Sequence, residues 1–387
     1  MKRILFFAPY FHPYLSGITS YPLHVLSNLA GEHQVTVLTF KHQSDLPSES
    51  ELNGMQIVRM PFAFKLSKGF ISFSSLKYFW QHARSADAVI LNLPNAEGLP
   101  LAILARLMGK QILAFFHCQL SFENGLWQKL VGGLANTSVY LQLWLANQAI
   151  GYTKDYLDST LAGRLFSKKF KFALPPVKNF SQQKLSDELQ THKQPDEIWI
   201  GFAGRVSREK GLLNLAKAIA SSQDKNKIKL VIAGPYGEQV AGEEDTYFQL
   251  KSALDQLGIK HIFMGKLDGE QLGEFYASLD LLCLPSTNST EAFGMVQAEA
   301  MLLGVPVIAG NLPGVRVPVQ LTGMGELVKP ADVGDLQQKI ELVLGNRAKY
   351  LKKENLLKAQ EKFSADNTVQ LVKKILGVSA QEEAIKK

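Results

Sequence analysis

The chain has 387 residues, more than one hydrophobic core serves, so two domains of roughly 180 to 200 residues are expected. Its 46% hydrophobic, 20% charged and 10% aromatic content excludes a disordered or low-complexity chain. The cysteines Cys118 and Cys283 lie one in each half, which excludes a disulfide-stapled scaffold and suits a reducing cytoplasm. The net charge of +7 is uneven, because residues 1–180 hold 17 Lys+Arg against 9 Asp+Glu while the remainder is close to neutral. A basic first half points to an anionic partner such as phospholipid headgroups or a lipid-phosphate carrier. The cluster Lys168-Lys169-Lys171 is either a lipid-facing patch or a solvated loop. Nucleic acid is not expected, since no helix-turn-helix, zinc-ligand or basic-aromatic motif is present.

The elements follow in chain order. Met1-Lys2-Arg3 and ILFFAPYF, interrupted by Pro9, are too short for the apolar region of a signal peptide and read as a buried first strand, Ile4–Ala8. Gln34–Phe40, Gln56–Pro61, Ala88–Leu93 and Gln111–Phe116 are further apolar runs of strand length. Ser20–Ala30 and Leu99–Met108 lie between them with helical spacing. The stretch Leu130–Thr153 has no charged residue, yet its Asn, Gln, Ser, Thr and Gly content is too polar for a span of about 20 apolar residues. It reads as a helix packed inside the protein, with a helix that also touches a membrane surface as the alternative. A polar, proline-containing segment, 176–197, then separates a first domain, 1–175, from a second, 198–362. Strand runs resume at Ile198–Ala203, Ile228–Ala233, His261–Met264, Leu281–Leu284 and Pro306–Ala309. The last helical pattern, Val369–Leu376 within about 363–377, can pack back on the first domain. Alternating strands and helices predict an α/β protein of two Rossmann-like, doubly wound domains facing each other across a cleft.

Two segments of the second domain carry chemistry. After the strand IWIGFAG come Gly204, Arg205, Val206-Ser207-Arg208-Glu209, Lys210 and Gly211, and then an apolar helical run. A strand, a glycine turn with cations and a helix start can hold a phosphate. Arg205 offers a planar fork of donors and Lys210 a compact charge. After LLCLPS, the segment Thr287 to Met301 predicts a polar loop and a helix starting near Phe293, whose first N–H groups are free to meet an anion. Glu291 precedes that helix and Glu299 lies eight positions later, roughly 80° around the axis. They are therefore two separate hydroxyl anchors and not an acid/base pair on one face.

These segments resemble those of family 4 retaining glycosyltransferases (glycosyl transferases group 1) with the GT-B fold, and the likeness runs nearly the whole chain. It rests on GRVSREKG, the glutamate pair in EAFGMVQAEAM, the following GVPVIAG, YASLDLLCLPS and GELVKPADV. The resemblance implies that Arg205 and Lys210 bind the donor diphosphate, Glu291 the transferred sugar and Glu299 the ribose. It implies backbone contacts to the donor from Gly204, Phe293, Gly294, Met295 and Val296. In the first domain, Gly17 would let the loop after the first strand approach the diphosphate, and His117 would face the reaction centre. Tyr10 and His12 are candidates for the acceptor side. The chain departs from the family pattern at Ser16-Gly17, where two glycines are usual, and at Leu312–Val317, where a glutamate is usual. Ala173-Leu174-Pro175-Pro176 replaces an asparagine-glycine turn.

The implied reaction is retaining transfer of a sugar from a nucleotide-diphosphate sugar to a glycan or lipid-phosphate-linked acceptor, in polysaccharide or glycolipid assembly. No cofactor is expected, and no Asp-x-Asp metal motif stands at a strand end, so metal-independent chemistry is expected as well. The expected location is cytoplasmic, with peripheral contact at the inner face of an anionic membrane. Two other classes compete: a non-catalytic nucleotide-sugar binder, and a NAD-dependent oxidoreductase. The latter lacks a G-x-G-x-x-G after a strand.

Overall fold

In the computed structural model the chain divides into two units, Met1–Pro176 with Ala365–Lys387, and Val177–Ser364. The structure describes all residues except 15, 67–68, 121–125, 178–179, 181–192, 241–242, 268, 364–365 and 378–387. Most of the segment expected to join the domains, 176–197, therefore lies outside the described residues.

The strands of the first unit are β1 (Arg3–Phe7), β2 (Gln34–Phe40), β3 (Glu49–Leu52), β4 (Met55–Met60), β5 (Phe64–Leu66), β6 (Gly69–Ile71), β7 (Ala88–Leu93), β8 (Gln111–Phe116), β9 (Gln148–Gly151) and β10 (Phe170–Phe172). Eight of them form a sheet in the order β10-β9-β8-β7-β1-β2-β4-β3, and β5 pairs with β6 in a small hairpin. All neighbours in the large sheet are parallel except β3 on β4. Central strands buried on both faces must be apolar throughout, and all six residues of β7 are buried. Strand order reverses between β1 and β7, and ligands of such sheets gather at the carboxyl ends of strands at that point.

Two helices of this unit matter below. Helix Asp366–Leu376 returns from the chain's end to place Val372 and Leu376 in the core with Ile4, Phe6 and Leu113. Lys2 Nζ and Gln111 Nε2 donate to the Leu376 and Ile375 carbonyls at 2.6 and 2.9 Å. Helix Leu126–Leu145 corrects an expectation. The uncharged stretch is not packed inside the protein, because over the described side chains only one side of this helix is covered and Leu134 and Trp144 stand in solvent. Missing charge reads as interior only when no exposed stripe is itself apolar.

The second unit holds β11 (Ile198–Ala203), β12 (Ile228–Ala233), β13 (Lys260–Gly265), β14 (Leu281–Leu284), β15 (Val307–Gly310) and β16 (Gly325–Val328), in the order β13-β12-β11-β14-β15-β16. Every pairing is parallel. Trp199, Phe202, Leu230 and Leu282 lie fully inside this layered core. Here the order reverses between β11 and β14, so the loops leaving those two strands lie side by side.

Candidate functional site

In the second unit, the loop after β11 runs from Gly204 to Gly211 and feeds helix Leu212–Ala220. The loop after β14 runs from Pro285 to Gly294 and feeds helix Met295–Leu302. Two glycines make this possible. Gly211 has φ 71°, and a Cβ there would stand 2.2 Å from the Pro285 carbonyl oxygen. Gly294 has φ 75°, and its Cβ would meet the Leu284 side chain at 2.4 Å. Only a residue without a Cβ fits such an approach at positive φ. The loops are then tied together, with the Thr287 N–H donating to the Glu209 carbonyl at 2.8 Å.

Lys210 and Glu291, far apart in sequence, form a salt bridge with both side chains largely buried. The other Glu291 oxygen accepts from the Gly294 N–H at 3.1 Å. Arg205 is half exposed and reaches Glu209 Oε1 at 3.4 Å. Glu209 also accepts from the Ser207 hydroxyl at 2.7 Å. Burial pushes the Glu209 carboxyl up, but Ser207, its own backbone, Arg205 and Lys210 outweigh it and hold the group below its ordinary range. Arg205 and Lys210 thus stand beside two helix N-termini, whose first-turn N–H groups have no partner within the helix. This is a surface suited to a polyanion.

Glu299 lies one turn into helix Met295–Leu302 and accepts from the Tyr276 hydroxyl at 2.5 Å. Tyr276 is fully buried. Burial first, then the Glu299 carboxylate, push its hydroxyl well above the ordinary range, so it remains a donor. The two carboxylates are therefore held by different partners.

The structure shifts the expected helix start. The helix begins at Met295 and not near Phe293, because Gly294 in the left-handed region caps it. The Phe293 side chain is buried, and the Gly294 N–H is already occupied by Glu291. Met295 and Val296 keep the first-turn positions. Gly204 leaves β11 at φ 141°.

In the first unit, Asn92 on β7 and His117 just after β8 meet near the reversal point. His117 Nε2 lies 2.7 Å from Asn92 Oδ1, Nδ1 lies against the Tyr152 hydroxyl, and Asn92 Nδ2 donates to the Ile18 carbonyl at 3.0 Å. With Asn92 oriented by Ile18, its Oδ1 accepts from Nε2–H and Nδ1 accepts from Tyr152. Burial lowers the His117 pKa to about 3, so the ring is neutral near pH 7. Both ring nitrogens are thus engaged within the first unit. Gly17 is not in a loop: it is the first residue of helix Gly17–Ala30, where Ser16 N–H donates to Thr19 Oγ1 at 2.8 Å. Tyr10 packs its ring 4.7 Å from Tyr14 and 4.8 Å from Phe70, and the His12 carbonyl accepts from Arg59 at 3.1 Å.

Sequence reasoning missed Glu209, Tyr276, Asn92 and Tyr152. Nothing in their spacing marks Tyr276, Asn92 and Tyr152, since each acts through a partner that only the folded sheet brings near, whereas Glu209 bonds to Ser207 and Arg205 of its own loop. Among the described residues, no group of three or more His, Cys, Asp or Glu is placed to hold a metal ion.

Residues 184–363 match the family model of glycosyl transferases group 1. An uncharacterized glycosyltransferase of Methanocaldococcus jannaschii is 30% identical over 190 residues, 48% of this chain and 46% of that protein. A D-inositol 3-phosphate glycosyltransferase of Mycobacterium sp. (strain KMS) is 34% identical over 152 residues, 39% of this chain and 33% of that protein. The matches thus span about half, or less, of the length of these relatives. The crystal structure of Anabaena HepE, in complex with UDP and glucose, aligns with 98% of this chain and 100% of its own at TM-score 0.78 and 18% identity. That likeness is one of fold, the GT-B fold of two Rossmann-like domains. Over residues 184–363, within its second unit, the chain is similar to the glycosyl transferases group 1 family.

Proposed function

We propose that the protein is a retaining glycosyltransferase that moves a sugar from a nucleotide-diphosphate sugar to a glycan or lipid-phosphate-linked acceptor, without a metal ion. One observation carries this reading: Arg205 and the Lys210–Glu291 pair sit between two helix N-termini at the strand reversal of the second unit. In the reaction the bond between the sugar's anomeric carbon and the diphosphate oxygen breaks, and negative charge builds on the diphosphate. Arg205, Lys210 and the amides of Met295 and Val296 would stabilise that charge where it develops. Glu291 would hold hydroxyls of the transferred sugar and Glu299 those of the ribose. The acceptor oxygen attacks from the face the diphosphate leaves, and its proton passes to the departing phosphate oxygen. His117, neutral and already bonded at both nitrogens, would position its surroundings and not move that proton. The work would take place at the inner face of a cytoplasmic membrane.

The test is the melting temperature of the purified protein with uridine, guanosine and adenosine diphosphates, their sugars, and NAD. The uridine compounds come first because HepE was solved with UDP. A ligand at 100 times its dissociation constant should stabilise by about 2.7 kcal/mol. One nucleotide sugar should raise the melting temperature, and Arg205→Ala or Glu291→Ala should remove the rise. A shift by NAD alone would overturn the proposal.

A further inference from the structure

Helix Leu126–Leu145 turns an apolar stripe to solvent. Leu130, Leu134, Leu141 and Trp144 are 56%, 74%, 43% and 65% exposed. With Thr137 between them they recur every three or four residues, which is the spacing of one helix face. The opposite face is buried through Val139, Gln142 and Leu143, and Gln142 Nε2 donates to the Asn95 carbonyl at 2.8 Å. A helix lying on a water-facing surface carries its charges outward. This one carries none between Leu130 and its end.

The apolar surface continues on its neighbours. Helix Gly98–Leu107 packs against it and exposes Ile103 and Leu107, and helix Leu161–Phe166 packs against it and exposes Leu165. Contiguous apolar exposure of this kind marks an interaction site.

A basic rim accompanies the stripe. Lys169 Nζ donates to the carbonyls of Leu143 and Ala146 at 3.1 and 2.7 Å, and also to that of Trp144. This fastens the lysine cluster to the Trp144 end of the helix. Burial, and next the Arg106 guanidinium, lower the Lys169 pKa, which places Arg106 at the same end. Arg106, Arg164, Lys168 and Lys171 are all exposed.

We propose that this face is a docking surface for an anionic lipid bilayer. The rim selects the occupant. A second copy of the chain would bring the same basic rim, and the helix itself holds no acidic residue to answer it. Anionic headgroups supply the missing countercharge, and an exposed tryptophan beside lysines suits the boundary between headgroups and acyl chains. Contact is by adsorption, since no helix among the described residues is long and apolar enough to cross a membrane. The surface deepens the reading of a lipid-phosphate-linked acceptor, and its test does not pass through catalysis.

The experiment is co-sedimentation of the full chain with vesicles at low salt, either phosphatidylcholine alone or an equimolar mixture with phosphatidylglycerol. The protein should sediment with the mixed vesicles and stay behind with the neutral ones. Leu134→Glu with Trp144→Glu should lower the partition by about tenfold or more. Lys168→Gln with Lys171→Gln should lower it by about fivefold per lysine. Lys169 is left in place because it caps the helix. Both variants should keep the melting temperature of the parent chain. Equal binding by parent and variants, or none to mixed vesicles, would overturn the proposal. So would a dimer in analytical ultracentrifugation that the Leu134/Trp144 variant dissociates, which would give the face to a second copy. An intact nucleotide response without vesicle binding refutes this surface alone, and the reverse result refutes the proposed activity alone.

Discussion

Tyr276 holds Glu299 through a short hydrogen bond from inside the core, so the carboxylate is aimed before any ligand meets it. Tyr276→Phe removes one hydroxyl and leaves the packing volume nearly unchanged. If Glu299 binds the ribose, the loss of that orientation should weaken nucleotide diphosphate binding by about 1 kcal/mol, the usual net value of a hydrogen bond. Titration calorimetry would read this, and a 2′,3′-dideoxy nucleotide should bind parent and variant alike. An equal deficit with both nucleotides would show that Tyr276 acts only on the fold. His117 gives a prediction of another kind. Its folded pKa of about 3 lies below the ordinary 6.5. The unfolded chain therefore takes up a proton first, and stability present above about pH 6.5 is lost as pH falls toward 3. Between about pH 6.5 and about pH 5 this amounts to roughly 2 kcal/mol. The His117→Asn variant lacks that loss, so the stability gap between parent and variant should narrow by that amount in denaturant titrations. A gap independent of pH would mean that the ring is reached by solvent.

At the scale of elements, the strands were the most legible part of the chain. β2, β7, β8, β11, β12 and β14 follow the apolar runs residue for residue, because a strand covered on both faces is apolar over most of its length. β3, with the sequence ESEL, carries no such run, and it pairs antiparallel at the sheet edge where one face is wet. Helix Leu126–Leu145 was misread for the complementary reason, an exposed face that is apolar. The site was legible by halves. The loops carrying Arg205, Lys210, Glu291 and Glu299 stand out as glycine-bounded polar segments after strands. Their closure does not, since the Lys210–Glu291 bridge and the Thr287–Glu209 tie join loops 78 or more positions apart. Gly211 shows what permits that closure: its missing side chain leaves room for the Pro285 carbonyl, a fact that spacing cannot carry.

At the scale of the whole molecule, the first unit is discontinuous in sequence while the second is continuous. Residues 1–176 leave part of their core to helix Asp366–Leu376, which follows the whole second unit in sequence and carries Val372 and Leu376 inward. Four links hold that helix from its flanks: Thr368 Oγ1 donates to the Leu174 carbonyl at 2.7 Å, Lys373 pairs with Glu32 at 2.6 Å, and Lys2 and Gln111 reach the Leu376 and Ile375 carbonyls. Exposed ion pairs contribute little, about 0–1 kcal/mol each, so the apolar contacts must supply most of the docking free energy. Leu376 is 1% exposed, and Leu376→Ala would remove buried methyl groups and leave a cavity beside Ile4 and Leu113. The expected cost is about 2–5 kcal/mol, read as a lower denaturation midpoint with the slope unchanged. A change below about 0.5 kcal/mol, typical of surface substitutions, would mean that the first unit closes its core without this helix. In that event residues 1–176 expressed alone should fold with the stability of the same unit in the full chain.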